Sequence, residues 1–163
     1  MMRRNYLAAL LFLLCLSCGS KGAVAVTAVI QNPAMSVDQS SGLGARLTGT
    51  FGLHIELGQL APSGTDVAFG QGNFSLVNPG NQATLVLLKF TASPPAPYHL
   101  EPGGKLDLAL TVADKAGTPG QLLTKDEESA VCAARAAVQV AGSIADASGQ
   151  TPVTSLSFAV GCP

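Results

Sequence analysis

Residues 45–57 read Ala45-Arg46-Leu47-Thr48-Gly49-Thr50-Phe51-Gly52-Leu53-His54-Ile55-Glu56-Leu57. Ala45, Leu47, Phe51, Leu53, Ile55 and Leu57 share one parity, with Gly49 among them, while Arg46, Thr48, Thr50, His54 and Glu56 share the other. Successive side chains of a strand point to opposite faces, so this alternation makes one apolar face and one wet face. A helix would scatter both sets around its axis. A long half-buried strand is expected here, with Gly49 marking a bulge or the close approach of another backbone.

The flanking sequence carries the same signature. Ala23 to Gln31 is β-prone, with Val24, Val26, Ala28 and Ile30 on one face. Asn32-Pro33 is expected to stop that strand, and Asp38 to Gly44 reads as a polar loop. After the turn Ala61-Pro62-Ser63-Gly64, the segment Asp66 to Val77 changes parity: Val67 and Phe69 are odd, whereas Phe74 and Leu76 are even. Gly70-Gln71-Gly72 lies between them, where a bulge or kink is required. Asn78-Pro79-Gly80-Asn81 is another turn. Ala83 to Phe90 is apolar on both parities, as a central strand buried on both sides or covered by another element would be; the alternative is an exposed interaction edge. Ser93 to Pro97 cannot enter a sheet interior, because its three prolines donate no amide hydrogen. Glu101-Pro102-Gly103-Gly104 turns into Leu106, Leu108, Leu110 and Val112, alternating with Lys105, Asp107, Ala109 and Thr111, which is a second half-buried strand. Ala113 to Gly120 is expected to be loop, and Gln121 to Ser129 to hold a helical turn capped by Thr124, with Glu127 three residues on.

The N-terminus has a different grammar. Met1-Met2-Arg3-Arg4 is followed by an apolar run of 11 residues from Tyr6 to Leu16 and then by Ser17-Cys18-Gly19-Ser20. A cationic start, a short apolar stretch and a small residue before the cut are the parts of a secretory signal, and the run is well short of the ~20 residues a spanning helix needs. The cysteine at the cut, followed by Gly and Ser, resembles the bacterial lipoprotein signal. Cys15 stands three residues before Cys18 where that pattern most often has Leu, with Leu14 one step further out. The resemblance implies that a signal-peptide helix over residues 1–17 is removed, that Cys18 is diacylated and becomes the new N-terminus, and that residues 18–23 tether a domain over residues 24–163. Two or three acyl chains anchor stably where one does not. Gly19, in place of the Asp that retains such proteins in the inner membrane, implies the outer membrane. Plain secretion and an uncleaved anchor are the alternatives. Residues 98–112, opening Tyr98-His99-Leu100-Glu101-Pro102-Gly103-Gly104, are similar to a corner and strand found in many bacterial sandwich modules.

With Cys15 removed and Cys18 acylated, the resemblance leaves Cys132 and Cys162, which in an oxidising envelope are expected to bond to each other. A zinc site is the rival, but neither cysteine has a ligand at metal spacing, and His99 is 33 residues upstream of Cys132. Cys132, Ala134, Ala136, Val138 and Val140 share a parity opposite Arg135 and Gln139. Beyond the turn Asp146-Ala147-Ser148-Gly149, Leu156, Phe158, Val160 and Cys162 share a parity opposite Ser155 and Ser157. Folded as a hairpin with the thiols opposed, this pairs Ala134 with Val160, Ala136 with Phe158 and Val138 with Leu156, centred on Ala147. Opposed residues of an antiparallel pair lie ~4.5–5.5 Å apart at Cα, within disulfide reach, and closing the loop stabilises by ~3 kcal/mol in the chain-entropy model. The expected fold is all-β: an antiparallel β-sandwich of about seven to eight strands, immunoglobulin-like in topology, with a small barrel as the alternative.

Composition narrows the function classes. The 163 residues lose 17 with the signal, and removing Arg3 and Arg4 from nine basic residues leaves seven against ten acidic, a charge of about −3. A phosphate-tracking surface needs clustered Lys and Arg, so nucleic acid is not an expected partner. Charged residues are 12% and mean hydropathy is +0.36, which argues against disorder. With no Trp and 5% aromatics, a carbohydrate-stacking platform has little to build on.

No catalytic constellation is legible: no Gly-x-Ser-x-Gly occurs, and Gly70-x-Gly72 lacks the third glycine of a phosphate cradle. His54 and Glu56 point the same way from one strand, ~7 Å apart, but two ligands do not make a metal site. Asp126, Glu127 and Glu128 lack EF-hand spacing and read as a solvated acidic turn. His99, beside Tyr98 and Glu101 next to the proline-rich loop, is a candidate contact surface. No cofactor and no metal is expected. The chain reads as a lipid-anchored outer-membrane protein, held to the membrane by its N-terminal lipid. Its expected role is a structural or interaction component that meets other envelope proteins in a transport, adhesion or gliding-motility assembly, and not an enzyme. The alternative is an envelope module binding glycan, lipid or ion.

Overall fold

The computed structural model describes residues 25–39, 42, 44–70, 72–112 and 122–163. The expected signal peptide, Cys18 with its tether, and the expected loop over residues 113–120 lie outside them. In chain order the elements are β1 (Val26–Asp38), β2 (Arg46–Leu57), β3 (Thr65–Val67), β4 (Phe74–Val77), β5 (Thr84–Leu87), β6 (Thr91–Ser93), β7 (Tyr98–Leu100), β8 (Lys105–Val112), α1 (Lys125–Ala133), β9 (Gln139–Asp146), β10 (Gly149–Thr154) and β11 (Val160–Gly161). One sheet runs β11-β1-β2-β8-β6, a second runs β10-β9-β4-β5, and β3 pairs with β7 in a small third sheet. All named pairs are antiparallel except β1 with β11. The two large sheets enclose one apolar cluster, so the antiparallel β-sandwich stands. Its strands number eleven among the described residues, not seven or eight, because several expected strands divide into short ones.

The opening stretch is β2, and its apolar parity is the buried one: Leu47, Phe51, Leu53, Ile55 and Leu57 all lie in the core. β8 behaves likewise through Leu108, Leu110 and Val112. β1 does not stop at Asn32-Pro33. Gln31 pairs with Gly52 and Ala34 with Thr50, so Asn32 and Pro33 together stand opposite Phe51 as a bulge. The bulge has no use for the proline's missing N–H, and Asn32 takes a φ of 47°, a conformation asparagine tolerates better than most residues. One extra residue flips parity, which is why Val26 and Ile30 face inward before the bulge and Met35 and Val37 after it. The same site explains Gly49: a Cβ there would lie 2.2 Å from the Ala34 carbonyl oxygen and 2.7 Å from the Met35 Cα, so only glycine lets β1 approach this closely.

The parity change across residues 66–77 has a different cause. β3 belongs to the small sheet and β4 to the second large one, so the chain changes sheets between them. Reciprocal bonds between Ala68 and Ala145 (2.9 and 2.8 Å) tie the end of β3 to β9. The expectation of a central strand over Ala83 to Phe90 is corrected. β5 is an edge strand with Val86 buried and Leu87 57% exposed, and α1 lies against it. Its apolar character on both parities reflects a core-facing side plus this edge.

The C-terminal hairpin is also corrected. The Thr124 side chain accepts from the Glu127 N–H, the Glu127 carboxylate accepts from the Thr124 N–H, and Asp126, Glu127 and Glu128 complement the positive end of α1. The expected helical turn therefore extends through Ala133, and Cys132 sits at a helix end instead of on a strand. β9 and β10 pair Asp146 with Gly149 and Ala141 with Thr154, which centres the turn between Ala147 and Ser148, one step from the expected register. Ser155 still bonds Val140, but Val138 pairs with Phe158, so Leu156 and Ser157 bulge opposite Gln139. Ser155 consequently points inward, where its Oγ accepts from the Val140 N–H and donates to the Leu156 carbonyl, while Leu156 is 86% exposed. The disulfide itself is present: Cys132 and Cys162 are bonded, with Cα atoms 5.9 Å apart. It joins the end of α1 to the residue after β11, not one strand of a hairpin to the other.

Candidate functional site

Register places the polar parity of β1, β2, β8 and β6 in rows across the outer face of the five-stranded sheet. Glu56 lies opposite Lys105, His54 opposite Asp107, Gly52 opposite Ala109 and Thr50 opposite Thr111. β1 extends these rows with Thr27, Val29 and Gln31, and β6 extends them with Ser93 and Thr91. Directly opposed side chains on one face are within reach of each other. Glu56 and Lys105 form a 3.3 Å surface ion pair, and His54 Nδ1 lies 2.6 Å from Asp107 Oδ1. His54 and Glu56 thus each take a cross-strand partner and do not converge. Among the described residues, no group of three His, Cys, Asp or Glu side chains is arranged to hold a metal ion. A His–Asp pair orients an imidazole as in acyl-transfer sites, but that chemistry also needs a nucleophile in hydrogen-bond reach of the ring. The described hydrogen bonds give the His54 ring only Asp107.

The next row, Gln31–Gly52–Ala109–Ser93, has its two smallest side chains at the centre of the sheet. The result is a hollow of about 450 Å³ with Gly52 and Ala109 as its floor. Asn32, in the β1 bulge, borders one side and Ser93, on β6, the other, with Thr50 and Asp107 at the ends. Nothing local to any one strand specifies this site. The only signal in the sequence is that glycine and alanine interrupt the polar parity of β2 and β8, and only their register places them side by side.

The candidate contact surface at Tyr98, His99 and Glu101 separates. Tyr98 is 7% exposed, stacks on Phe69 at 5.4 Å and donates its hydroxyl to the Pro94 carbonyl oxygen at 3.1 Å. It is a core residue, because β7 alternates buried, exposed, buried. Burial also raises the Tyr98 phenol above its ordinary pKa. His99 and Glu101 remain on the surface. His99 Nδ1 is 2.7 Å from Asp66 Oδ1, directly across the β3–β7 pair, and Nε2 is 3.4 Å from Glu101 Oε1. With a carboxylate at each nitrogen, the doubly protonated ring donates both ways, and the Asp66 hydrogen bond is the main cause raising the His99 pKa above 6.5. This stabilising contact is complete below the ordinary histidine range and is lost as pH rises through the elevated native value. In an NMR titration His99 is expected to lose its proton at higher pH than a free histidine, and Asp66→Asn to move that midpoint down; an unmoved midpoint in the variant rules out the clamp.

Asp126, Glu127 and Glu128 serve the N-terminus of α1 and do not form a loop. At the glycine pair, Gly70 accepts from the Asn73 N–H at 3.1 Å in a short turn, with Gln71 outside the described residues. Comparison with protein-family models, characterised proteins and solved structures returns no match to the chain.

Proposed function

We propose that this chain is a lipid-anchored outer-membrane protein whose sandwich acts as a structural or interaction component of a cell-envelope assembly of the transport, adhesion or motility type. The observation that carries this reading is Ser17-Cys18-Gly19-Ser20 directly after a cationic start and a short apolar run. The Cys132–Cys162 bond supports it, since disulfides persist in oxidising compartments such as the periplasm. The body is rigid in the relevant sense: both large sheets share one core, and a covalent bond holds the C-terminal strand to the helix.

Intact-mass analysis from the producing organism tests the anchor. The expected species begins at an acylated Cys18, and Cys18→Ala is expected to abolish the lipid and release the domain from the membrane fraction. A mature chain starting at an unmodified Met1 refutes the anchor. Native pull-down from detergent tests the assembly role, and recovery of the monomer alone removes it. A second reading, an envelope ligand-binding module, is favoured by the hollow over Gly52 and Ala109.

A further inference from the structure

We infer that the hollow on the outer face of the five-stranded sheet binds a neutral saccharide of about two rings, through the side chains of Gln31, Asn32, Thr50, Ser93 and Asp107. The inference rests on the ligand-binding reading and is independent of the anchor. At about 450 Å³ the hollow is within the range of small-molecule sites. Gly52 and Ala109 give it a flat floor in the middle of a sheet whose other rows carry larger side chains.

The polar groups at its border select the chemistry. Among the described residues, Gln31, Asn32, Thr50 and Ser93 make no side-chain hydrogen bond, so two carboxamides and two hydroxyls stand ready around one space. Each of these four groups both donates and accepts, which matches ring hydroxyls, themselves donors and acceptors. Asp107 adds a strong acceptor, held in place by His54 at 2.6 Å. No Lys or Arg lines the hollow, so a phosphorylated or carboxylated ligand would find no counter-charge. A single carboxylate, already paired, is a poor match for a multivalent cation. An extended peptide is disfavoured for a different reason: peptides add to sheets at free edges through main-chain bonds, and this floor is formed by β2 and β8, which are paired on both sides. The aromatic residues that could stack on a sugar lie in the core, so recognition here depends on hydrogen bonds and binding is weak.

The test follows the backbone amide signals of Gly52, Ala109 and Asn32 in the full chain, held in a sugar-free detergent. Three probes are titrated: maltotriose, triacetylchitotriose and a blocked neutral Gly/Ser hexapeptide. At least one of the two sugars is expected to shift these signals saturably with Kd of ~1 mM or below, and the peptide to leave them in place. Ala109→Trp fills the hollow from an exposed position and is expected to weaken sugar binding by about tenfold or more, and Asp107→Asn by a few-fold. Thermal melts of both variants check that the fold is kept. Sugar binding that is unaffected by Ala109→Trp overturns the site. Peptide binding that Ala109→Trp abolishes overturns the saccharide but keeps a ligand-binding groove, and silence from all three probes overturns both.

Discussion

Replacing Cys132 and Cys162 together with serine is expected to lower the melting temperature by roughly 6–16 °C. The two residues are 30 apart in sequence, and cross-linking a loop of that size removes chain entropy from the unfolded state worth roughly 3–4 kcal/mol. For a domain of this size each 1 kcal/mol moves the midpoint by about 2–4 °C. Geometry makes the loss more than entropic. The bond clamps the end of α1 to the residue following β11, and β11 is only two residues long, held to β1 through Val160 and Gly161. Without the bond, that short parallel strand depends on a few backbone contacts, among them Val160 N–H to the Arg135 carbonyl at 2.8 Å. Hydrogen exchange should therefore report faster opening at Val160 than at Leu53 in the same variant. A double-serine variant that melts within about 2 °C of the parent contradicts the account, as does reduction with no effect on the parent.

How much of this was legible in the sequence depends on how local each signal is. The alternation of residues 45–57 and 105–112 names its own buried face, because a strand's period of two is a property of the strand alone. The capping box at Thr124 and Glu127 is just as local, and it appears as written. The disulfide was legible because only Cys132 and Cys162 remain among four cysteines when Cys15 and Cys18 are set aside as part of the expected signal. Register was not. Both misreadings, a strand end at Asn32-Pro33 and the parity at Leu156-Ser157, come from single-residue bulges, and a bulge is specified by what the partner strand does opposite it. Gly49 carried half of that information: it announced a close approach without saying which backbone approached.

Cys132 was misplaced for a related reason. A run rich in alanine at alternate positions looks like one face of a strand, yet alanine is also the best helix former, and the cap upstream decides between them. Tyr98 shows the opposite failure. An aromatic beside three prolines suggests a displayed surface, but its ring closes the end of the core against Phe69. The hollow over Gly52 and Ala109 was the least legible feature, since it exists only once four strands are set side by side. Strand order has the same character: alternation tells which side of a strand is dry, not which strand lies next to it.

Phe74→Ala is expected to destabilise the domain by about 3–5 kcal/mol, the range for emptying a well-packed aromatic site. Residues 18–163 contain six aromatics, and five of them, Phe51, Phe69, Phe74, Phe90 and Tyr98, form one continuous cluster. Phe74 is its hub. Its ring is fully buried and lies 5.5 Å from Phe51, 5.9 Å from Phe69 and 5.7 Å from Phe90, all in tilted or edge-on arrangements that favour aromatic pairs. Phe51 stands on the five-stranded sheet and Phe74 on the four-stranded one, so the contact bridges the two layers of the sandwich. Gly142, opposite Phe74 on β9, leaves the ring its place: a Cβ there would lie 2.4 Å from the ring edge. A neighbour that small offers nothing to collapse into the cavity, which pushes the cost toward the upper end of the range. Leu156→Ala is the control. Sequence parity alone would make it a core deletion, whereas its 86% exposure predicts a change within about 0.5 kcal/mol. Denaturant midpoints of the two variants settle both points together: a small effect at Phe74 or a large one at Leu156 would mean that the four-stranded sheet presents its other face to the core.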